Sequence, residues 1–294
     1  MSSIKRVLIT GCSTGIGAHL ALAMARKGYL VFASMRDPAA GAKLVATSAR
    51  EGLSCEALAL DVTQQTSVDA AMARVFERCG GVDVLVNNAG VGCSGPVETV
   101  TPEAAQATFD VNYFGAMRMI QAVVPGMREQ GSGAIINVTS IASRFPTGGS
   151  AHYTASKVAL EGASECLAME VARFNIRVAL IEPGIILTPI FGKQKIPPLP
   201  VPAYEADYRR WGAFVQQRIR KRTFPSAVVA AVMDAIDSPT PRFRYPVGED
   251  AELISAMRAS VSDVEFLSAA SGRTDDEYYD AMTQLVGTDL WRSI

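Results

Sequence analysis

The sequence has very little histidine and no cysteine pattern of the kind that binds a metal. Its 294 residues include two histidines, His19 and His152, and five scattered cysteines without a C-x-x-C pair. A zinc site, a disulfide framework and a Ser-His-Asp triad therefore lack the residues from which they are built. The role of His152 stays open, because it adjoins Tyr153 and either faces a substrate or is a solvated or capping residue.

The chain also lacks an excess of positive charge and a long apolar run. Lys and Arg number 28 against 29 Asp and Glu, for a net charge of −1. This balance argues against a nucleic-acid partner, which would require a basic surface. No apolar run reaches the roughly 18 residues needed to cross a bilayer, and no signal-peptide pattern is present. We therefore expect a cytoplasmic protein, whose 49% of hydrophobic residues suffice for a large core.

Short apolar runs alternate with longer helical patterns along the chain. The runs predict strands at 6–10, 29–34, 55–62, 82–90, 133–140, 176–184 and 242–248. They show no clean polar–apolar alternation, and helices of about ten or more residues separate them, as in a parallel sheet covered on both faces. This pattern predicts a doubly wound α/β fold, with a seven-stranded Rossmann sheet and helices on both faces. We expect one domain over residues 1–294, with ligands at the carboxyl ends of the strands.

The regular alternation ends beyond residue 184. Residues 193–204 are rich in proline and cannot form a long helix. Residues 205–222 resume a helical pattern with an apolar face made of Trp211, Phe214, Val215 and Ile219. That face either packs on the body of the protein, with the arginines solvated, or covers a hydrophobic pocket. Its position beyond a strand's carboxyl end favours a substrate lid at about 187–224, followed by a helical extension at about 249–294.

A glycine-rich loop joins the first predicted strand to the first helix. In TGCSTGIG (10–17), Gly11, Gly15 and Gly17 follow a G-x-x-x-G-x-G spacing, with Ser13, Thr14 and Ile16 between them. Glycines let the backbone approach a pyrophosphate, and a helix N-terminus offers it amide groups and partial positive charge. The loop therefore predicts a dinucleotide site.

The end of the second strand distinguishes between two dinucleotides. An NAD site usually has an acidic residue there for the ribose hydroxyls, whereas here Met35 is followed by Arg36. A carboxylate would repel a 2′-phosphate, but a guanidinium binds one through paired, charge-assisted hydrogen bonds. Asp37 leaves NAD open, because a one-residue shift would bring it near the ribose. We expect NADP(H) rather than NAD(H).

Tyr153 and Lys157 stand four residues apart in SAHYTASK (150–157), where a helix is predicted. The spacing stacks them on one face, about 6 Å apart along the axis. Hydride transfer to a carbonyl builds negative charge on its oxygen, which requires a nearby proton donor. An ammonium ~4 Å from a tyrosine would favour the phenolate by up to ~4 kcal/mol at an effective dielectric near 20. The same tyrosine could then act as the acid in carbonyl reduction and as the base in the reverse reaction. Ser140, after the fifth strand, is placed to polarise the same oxygen.

Taken together, these motifs resemble those of the short-chain dehydrogenase/reductase family. TGCSTGIG, NNAG (87–90), SAHYTASK with Ser140 upstream, and EPGIILT (182–188) occur in the family's order over residues 4 to about 190. ASMRDP (33–38), SGPVETV (94–100) and the long helix after Tyr153 are most similar to the branch of 17β-hydroxysteroid dehydrogenase type 1 and retinol dehydrogenases.

The resemblance implies a role for each matched position. Tyr153 would be the general acid/base, Lys157 its partner and a ligand of the nicotinamide ribose, and Ser140 the residue that holds the substrate oxygen. Asn112 in DVNYFG would complete a proton relay through water. The implied cofactor contacts are the loop residues Gly11, Ser13, Thr14, Gly15, Ile16 and Gly17 with Asp61, Val62, Asn88, Ala89, Gly90, Tyr153, Lys157, Pro183, Gly184, Ile186 and Thr188. The family also implies a homodimer or homotetramer built through the helices that carry Asn112 and Tyr153.

These expectations combine into an NADP(H)-dependent oxidoreductase that interconverts an alcohol and a ketone or aldehyde. The apolar insert and the branch resemblance point to a bulky apolar substrate, such as a steroid, retinoid, fatty or aromatic carbonyl compound. Two alternatives stay open. One is a non-catalytic NADP-sensing regulator, although such proteins usually lose a catalytic residue and all four are present here. The other is a lyase or epimerase on the same scaffold, which no particular residue favours.

Overall fold

The computed structural model describes residues 4–188, 201–272 and 274–292. Its strands are β1 (Arg6–Ile9), β2 (Leu30–Met35), β3 (Cys55–Ala59), β4 (Val84–Asn87), β5 (Gly133–Val138), β6 (Ile176–Pro183) and β7 (Arg244–Val247). They form one sheet in the order β3-β2-β1-β4-β5-β6-β7, and every pairing is parallel. The predicted seven-stranded parallel sheet is confirmed, with strand ends that differ from the predicted ones by up to three residues.

Helices cover both faces of this sheet. They are α1 (Gly15–Arg26), α2 (Ala42–Arg50), α3 (Gln65–Cys79), α4 (Pro102–Phe109), α5 (Gly115–Gln130), α6 (Ala151–Val171), α7 (Glu205–Lys221), α8 (Pro225–Asp237), α9 (Glu249–Arg258), α10 (Asp263–Ala270) and α11 (Asp275–Val286). In β1, Val7 and Ile9 belong to the core beneath α1 and α8, while Leu8 belongs to the core beneath α3 and α5. Because both faces are buried, the strand needs apolar residues at every position.

In the sequence, the capping hydroxyl of Thr101 followed by Pro102 predicts the start of one helix that continues through Gly131. The observed segment from Thr101 to Gln130 differs from that single helix. Thr101 caps it as expected, because its hydroxyl accepts a hydrogen bond from the Ala104 amide at 3.3 Å, and Pro102 is its first residue. A π-helical turn, Asp110–Phe114, then separates α4 from α5. Such turns inside helices are frequent at functional sites, and this one carries the buried side chain of Asn112.

The C-terminal helices build a third hydrophobic core beside the sheet. Its aromatic residues are Phe145, Trp211, Phe214, Phe266, Tyr278, Tyr279 and Trp291. The predicted apolar face of α7 lies in this core, so it packs on α9–α11 and on Phe145. The expectation that the arginines of α7 are solvated is wrong for two of them. Arg210 and Arg218 are buried, and they form ion pairs with Asp275 (3.0 Å) and Glu249 (3.2 Å).

Part of the predicted lid, residues 189–200, lies outside the described residues, and the lid stays a prediction. Helices α9, α10 and α11 lie within the predicted C-terminal extension. Within residues 4–188, 201–272 and 274–292, no helix combines the length and the apolar character that crossing a membrane requires.

Candidate active site

The residues singled out in the sequence converge on one edge of the sheet. The glycine loop follows β1, Asn88 to Gly90 follow β4, Ser140 follows β5 and Gly184 follows β6. The strand order reverses between β1 and β4, and in open α/β sheets this switch point forms a crevice for ligands at the carboxyl ends. The fold thus brings together motifs that lie far apart in the chain.

The glycine loop is a cradle that only glycines can form. Gly11 and Gly15 adopt left-handed conformations, with φ of 75° and 64°, which other residues rarely adopt. A Cβ on Gly11 would lie 2.8 Å from the Ala89 Cα, whereas one on Gly15 would make an ordinary contact of 3.6 Å with the Thr188 Cβ. The first turn of α1 begins here, and its backbone amides lack partners within the helix. The loop therefore fits a dinucleotide pyrophosphate, with Thr188 on the opposite side.

Gly17 provides a direct test of this packing. A Cβ at Gly17 would lie 2.5 Å from the Gly11 carbonyl oxygen and 2.6 Å from Asn88 Nδ2. We expect Gly17→Ala to lower the free energy of unfolding by about 2 kcal/mol through overpacking, despite the higher helix propensity of alanine. Urea unfolding measures this change. Gly162→Ala is the matched control, since Gly162 is also helical and an added Cβ there would meet no atom of the described residues within 4 Å. Equal effects of the two substitutions would contradict the prediction.

Asn88 holds the glycine loop in place. Its Nδ2 donates hydrogen bonds to the carbonyl oxygens of Thr10 (2.8 Å) and Gly11 (3.1 Å). The backbone amides of Asn88 and Ala89 both donate to the Thr10 hydroxyl at 3.0 Å. The observed side-chain contacts are therefore structural, and a direct contact of Asn88 with a cofactor stays a prediction.

Arg36 lies exposed beyond the end of β2 and forms no ion pair with any described residue. Its neighbour Asp37 is engaged, because its carboxylate accepts a hydrogen bond from the Ala39 amide at 2.9 Å and caps a short 3₁₀ helix. After β3, Asp61 accepts hydrogen bonds from the Thr63 amide (3.0 Å) and hydroxyl (2.8 Å). This end of the crevice therefore offers an unpaired guanidinium and carboxylates that already have local partners.

Asn112 links the π turn to α6 and to the loop after β4. Its Oδ1 accepts a hydrogen bond from the Val91 amide (2.8 Å), and its Nδ2 donates to the Val91 carbonyl (2.9 Å) and the Ser156 hydroxyl (3.0 Å). Gly90 lies between Asn112 and Lys157, since a Cβ added to this glycine would be 3.4 Å from Asn112 Oδ1 and 3.5 Å from Lys157 Nζ. The structure thus places Asn112 beside the lysine, while the predicted proton relay stays a prediction.

Ser140, Tyr153 and Lys157 come together where β5 ends and α6 begins. The side chain of Ser140 lies close enough to Tyr153 to act on the pKa of its phenol, and the Ser140 hydroxyl accepts a hydrogen bond from the Ala142 amide at 3.1 Å. Lys157 is buried, donates from Nζ to the Val138 carbonyl at 3.0 Å and lies 5.9 Å from the centre of the Tyr153 ring. Burial lowers the pKa of Lys157 to about 8, and the nearby Glu161 carboxylate opposes that shift.

The pKa of Tyr153 differs from the sequence-based expectation. The sequence suggests that a close ammonium brings this pKa toward neutrality, yet burial raises the pKa of Tyr153 above its ordinary value, against the effect of the Ser140 side chain. The Lys157 ammonium donates its hydrogen bond to the Val138 carbonyl. Removal of the phenol from water is the largest influence on the pKa of Tyr153. Tyr153 is therefore protonated at neutral pH, as a proton donor requires.

His152 precedes this tyrosine on α6. Its Nε2 is buried and has no hydrogen-bond partner among the residues that the structure describes. The interpretation of His152 as a solvated residue is therefore wrong for this atom. Whether its ring faces a substrate stays a prediction.

The segment after β6 closes the other side of the crevice. Pro183 ends the strand, and the Ile185 amide donates to the buried Asp250 carboxylate at 2.8 Å. A Cβ on Gly184 would lie within 2.4 Å of that carboxylate, so this glycine permits a close approach to α9. Ile186 is buried in the core beneath α1, whereas Thr188 faces the glycine loop. Sequence reasoning missed Asp250, because its partner stands 65 residues away.

A charged cluster of Glu161, Glu165, Glu182 and Arg244 lies behind Lys157, and sequence reasoning missed it as well. Arg244 donates to Glu161 (2.6 Å), Glu182 (2.5 Å) and Glu165 (2.5 Å). Burial and the Glu161 carboxylate raise the pKa of Glu182, while Arg244 lowers it. One signal was readable, because Glu161 follows Lys157 by four residues and so shares its helix face.

Comparison with known proteins agrees with this geometry. A family model of short chain dehydrogenases matches residues 5–197. The mouse 17-beta-hydroxysteroid dehydrogenase type 1 is 38% identical over 97% of this chain and 82% of its own length. Human retinol dehydrogenase 8 is 41% identical over 64% of this chain, and the match spans 61% of that protein. A 3-ketodihydrosphingosine reductase of Bacteroides thetaiotaomicron is 32% identical over 86% of this chain and 91% of its own length.

Solved structures show the same fold. A short-chain dehydrogenase from Streptomyces avermitilis superposes with a TM-score of 0.80 at 34% identity, covering 92% of this chain and all of that one. A short chain dehydrogenase from Burkholderia cenocepacia in complex with NADP gives 0.71 at 27% identity, over 92% and 98% of the two chains. A 3-ketoacyl-(acyl-carrier-protein) reductase from Brucella melitensis complexed with NADH gives 0.70 at 26%, over 82% and 95%. The chain therefore belongs to the short-chain dehydrogenase/reductase family of oxidoreductases.

Proposed function

We propose that this chain is an NADP(H)-dependent oxidoreductase that interconverts an alcohol and a ketone or aldehyde on a bulky apolar substrate. The observation that carries the proposal is the placement of Ser140 beside Tyr153, together with the buried Lys157, at the edge of the sheet where the glycine cradle begins. A proton donor, a group that polarises an oxygen and a dinucleotide cradle are the parts that carbonyl reduction requires.

In this mechanism each residue has one task. The nicotinamide of the bound cofactor supplies or accepts the hydride. The backbone of the glycine loop and the first turn of α1 hold the pyrophosphate, and Lys157 binds the nicotinamide ribose. Ser140 donates a hydrogen bond to the substrate oxygen, and Tyr153 gives that oxygen its proton in reduction and takes it back in oxidation. Since burial keeps Tyr153 protonated at neutral pH, its phenol is in the form that donates a proton in reduction.

The preference for NADP(H) is supported by Arg36. Structural relatives bind NADP or NADH, which supports a nicotinamide cofactor here without choosing between the two. The guanidinium of Arg36 is exposed and forms no ion pair within the described part of the chain, whereas Asp37 is used in capping. An unpaired guanidinium beyond β2 suits a 2′-phosphate.

Arg36→Ala tests this preference. We expect the variant to bind NADPH about 30-fold more weakly, because it loses charge-assisted hydrogen bonds, while NADH affinity stays within about threefold. Quenching of tryptophan fluorescence by each cofactor measures both affinities. Arg74→Ala is the matched control, since Arg74 is likewise exposed but lies on α3. Tighter binding of NADH than NADPH by the unaltered protein would contradict the preference.

The proposed lid spans about residues 187–224. The Leu187 amide donates to the Thr223 carbonyl at 2.8 Å, so the two ends of this insert meet. Leu187 and Phe224 are apolar and exposed there, which supports an apolar substrate entrance. The names of the steroid, retinol and ketodihydrosphingosine relatives agree with a bulky apolar substrate.

We also propose a homodimer or homotetramer in the cytoplasm. Its contacts would involve the helices that carry Asn112 and Tyr153, where Phe114, Val158 and Met169 are apolar and exposed. Exposed apolar residues of this size on neighbouring helices favour association between chains.

The test of the proposed function is NADPH oxidation with a panel of carbonyl compounds. The panel contains a steroid ketone, a retinoid aldehyde, a long-chain ketone and an aromatic ketone, with dihydroxyacetone as the small polar control. We expect turnover of at least one bulky compound and little of the control. Clear NADPH binding without turnover of any compound would overturn the proposal and favour an NADP-sensing regulator.

A further inference from the structure

Glu161 lies between the Ser140 turn and Lys157, two parts of the proposed catalytic group. It follows Lys157 by one turn of α6 and is 6% exposed. Its Oε1 and the carbonyl oxygen of Ser140 (2.5 Å) both lie within hydrogen-bond distance of the Ser143 hydroxyl, so these two acceptors share its single proton. A single carboxylate therefore reaches the turn that carries Ser140 and lies on the helix face that carries Lys157.

The second oxygen of this carboxylate is held just as firmly. Glu161 Oε2 accepts from Arg244 Nη1 at 2.6 Å and lies 3.9 Å from Arg144 Nε. The same Nη1 donates to Glu182 of β6, and Nη2 donates to the exposed Glu165 of α6. With contacts at both oxygens, the Glu161 side chain has a defined orientation.

The surroundings of Lys157 hold few other charges. On α6 it has Tyr153 one turn before and Glu161 one turn after. From β5 it meets the Val138 carbonyl, and across Gly90 it faces the amide oxygen of Asn112, both uncharged. Arg144, Glu182 and Arg244 surround Glu161 from the turn after β5, from β6 and from β7. Glu161 is the carboxylate that opposes the effect of burial on the pKa of Lys157.

We propose that Glu161 is a positioning residue of this site: its carboxylate holds the Ser140 turn through Ser143 and stabilises the Lys157 ammonium across one turn of α6. The inference rests on the proposed function, in which Ser140 and Lys157 take part. A buried carboxylate four residues after a buried lysine keeps that lysine charged where burial alone would favour loss of its proton. Glu161 thereby extends the pH range in which Lys157 binds a ribose and supports Tyr153.

The direct test is the titration of Lys157, observed by NMR on protein labelled with ¹³C at the lysine ε carbons. The chain has seven lysines, and the Lys157 signal is assigned by its loss in Lys157→Met. We expect Glu161→Gln to lower the titration midpoint of Lys157 by up to about two pH units, as a carboxylate roughly 6 Å away predicts at an effective dielectric near 20. Glu165→Gln is the matched control: it removes another carboxylate partner of Arg244, one turn further from Lys157, and should leave the midpoint unchanged.

Two further variants separate charge from packing. Glu161→Asp keeps the charge, so its Lys157 midpoint should lie close to that of the unaltered protein. This variant also tests the inference if Glu161→Gln does not fold. Ser143→Ala removes the hydroxyl between Ser140 and Glu161. It should lower kcat about tenfold for an accepted ketone with the Lys157 midpoint unmoved, because it loosens the Ser140 turn without removing a charge.

The outcomes distinguish this inference from the proposed function. An unshifted Lys157 midpoint in Glu161→Gln, or an equal shift in Glu165→Gln, would overturn the electrostatic role of Glu161. Normal turnover by Ser143→Ala would overturn its role in holding the Ser140 turn. Absence of turnover by the unaltered protein would refute the proposed function instead, while the lysine titration, which needs neither substrate nor cofactor, would still report on Glu161.

Discussion

Tyr153→Phe is expected to lower kcat for an accepted ketone by at least about a thousandfold, the loss that follows when a general acid is removed from the transition state. The substitution deletes one hydroxyl and keeps the ring in its place beside Lys157. We therefore expect NADPH affinity, measured by fluorescence, to stay within about threefold. A loss confined to kcat would show that the hydroxyl acts on the reacting oxygen and not on cofactor binding.

The pH dependence adds a second criterion. Because burial raises the pKa of Tyr153, its phenol stays protonated through neutral pH, and reduction by the unaltered enzyme should decline only in the alkaline range. The residual rate of Tyr153→Phe should lack this decline. Tyr29→Phe is the control, since that hydroxyl contacts Asp237 and lies away from the crevice. Near-normal turnover by Tyr153→Phe would refute the mechanism.

Arg244→Gln is expected to lower the free energy of unfolding by about 3 kcal/mol, because it leaves buried carboxylates without their counter-charge. Glu182 is fully buried, Glu161 nearly so, and Arg244 itself is largely shielded from solvent. Urea or thermal unfolding measures the change. Arg292→Gln is the matched control: Arg292 also meets several carboxylates, but those of Asp276 and Asp280 are exposed. Exposed pairs contribute about 0–1 kcal/mol, so equal losses would contradict the prediction.

The effect of Arg244→Gln should depend on pH in a definite direction. The folded-state pKa of Glu182 is raised above its usual value of 4.5, so the folded state binds this proton more tightly than the unfolded state does. Its contribution to stability is present at low pH and is lost as the pH rises from about 4.5 through the raised pKa. Arg244 limits the rise in the pKa of Glu182. Its removal should therefore raise that pKa further and widen the pH range over which stability is lost. The variant should therefore be more strongly destabilised at pH 8 than at pH 5.

Much of the fold was readable from the sequence because its signals are local. Runs such as Val7 to Ile9 are apolar at each position, and the structure shows why, since alternate residues face different cores. Thr101-Pro102 marked the start of a helix that the structure confirms. The π turn at Asn112 was not readable, because it inserts one residue into an otherwise regular helical pattern.

The arginines of α7 show where local reading stops. Their spacing suggests a solvated helix face, yet Arg210 and Arg218 are buried and form ion pairs with Asp275 and Glu249. Those partners follow in the C-terminal helices, and only the third core brings them within reach. The same holds for Glu161, whose distance to Lys157 along the helix was readable while its contacts with Ser143 and Arg244 were not.

By itself the sequence determined the parallel Rossmann fold, the glycine cradle and the group of Ser140, Tyr153 and Lys157. These follow from residue type and from spacing along the chain, which strand and helix geometry convert directly into positions. Only the tertiary structure decided how those groups are charged and held. Burial raises the pKa of Tyr153, and Glu161 and Arg244 meet behind Lys157 although 83 residues separate them. Solvent exclusion and such contacts depend on how distant elements pack, and no local pattern encodes them.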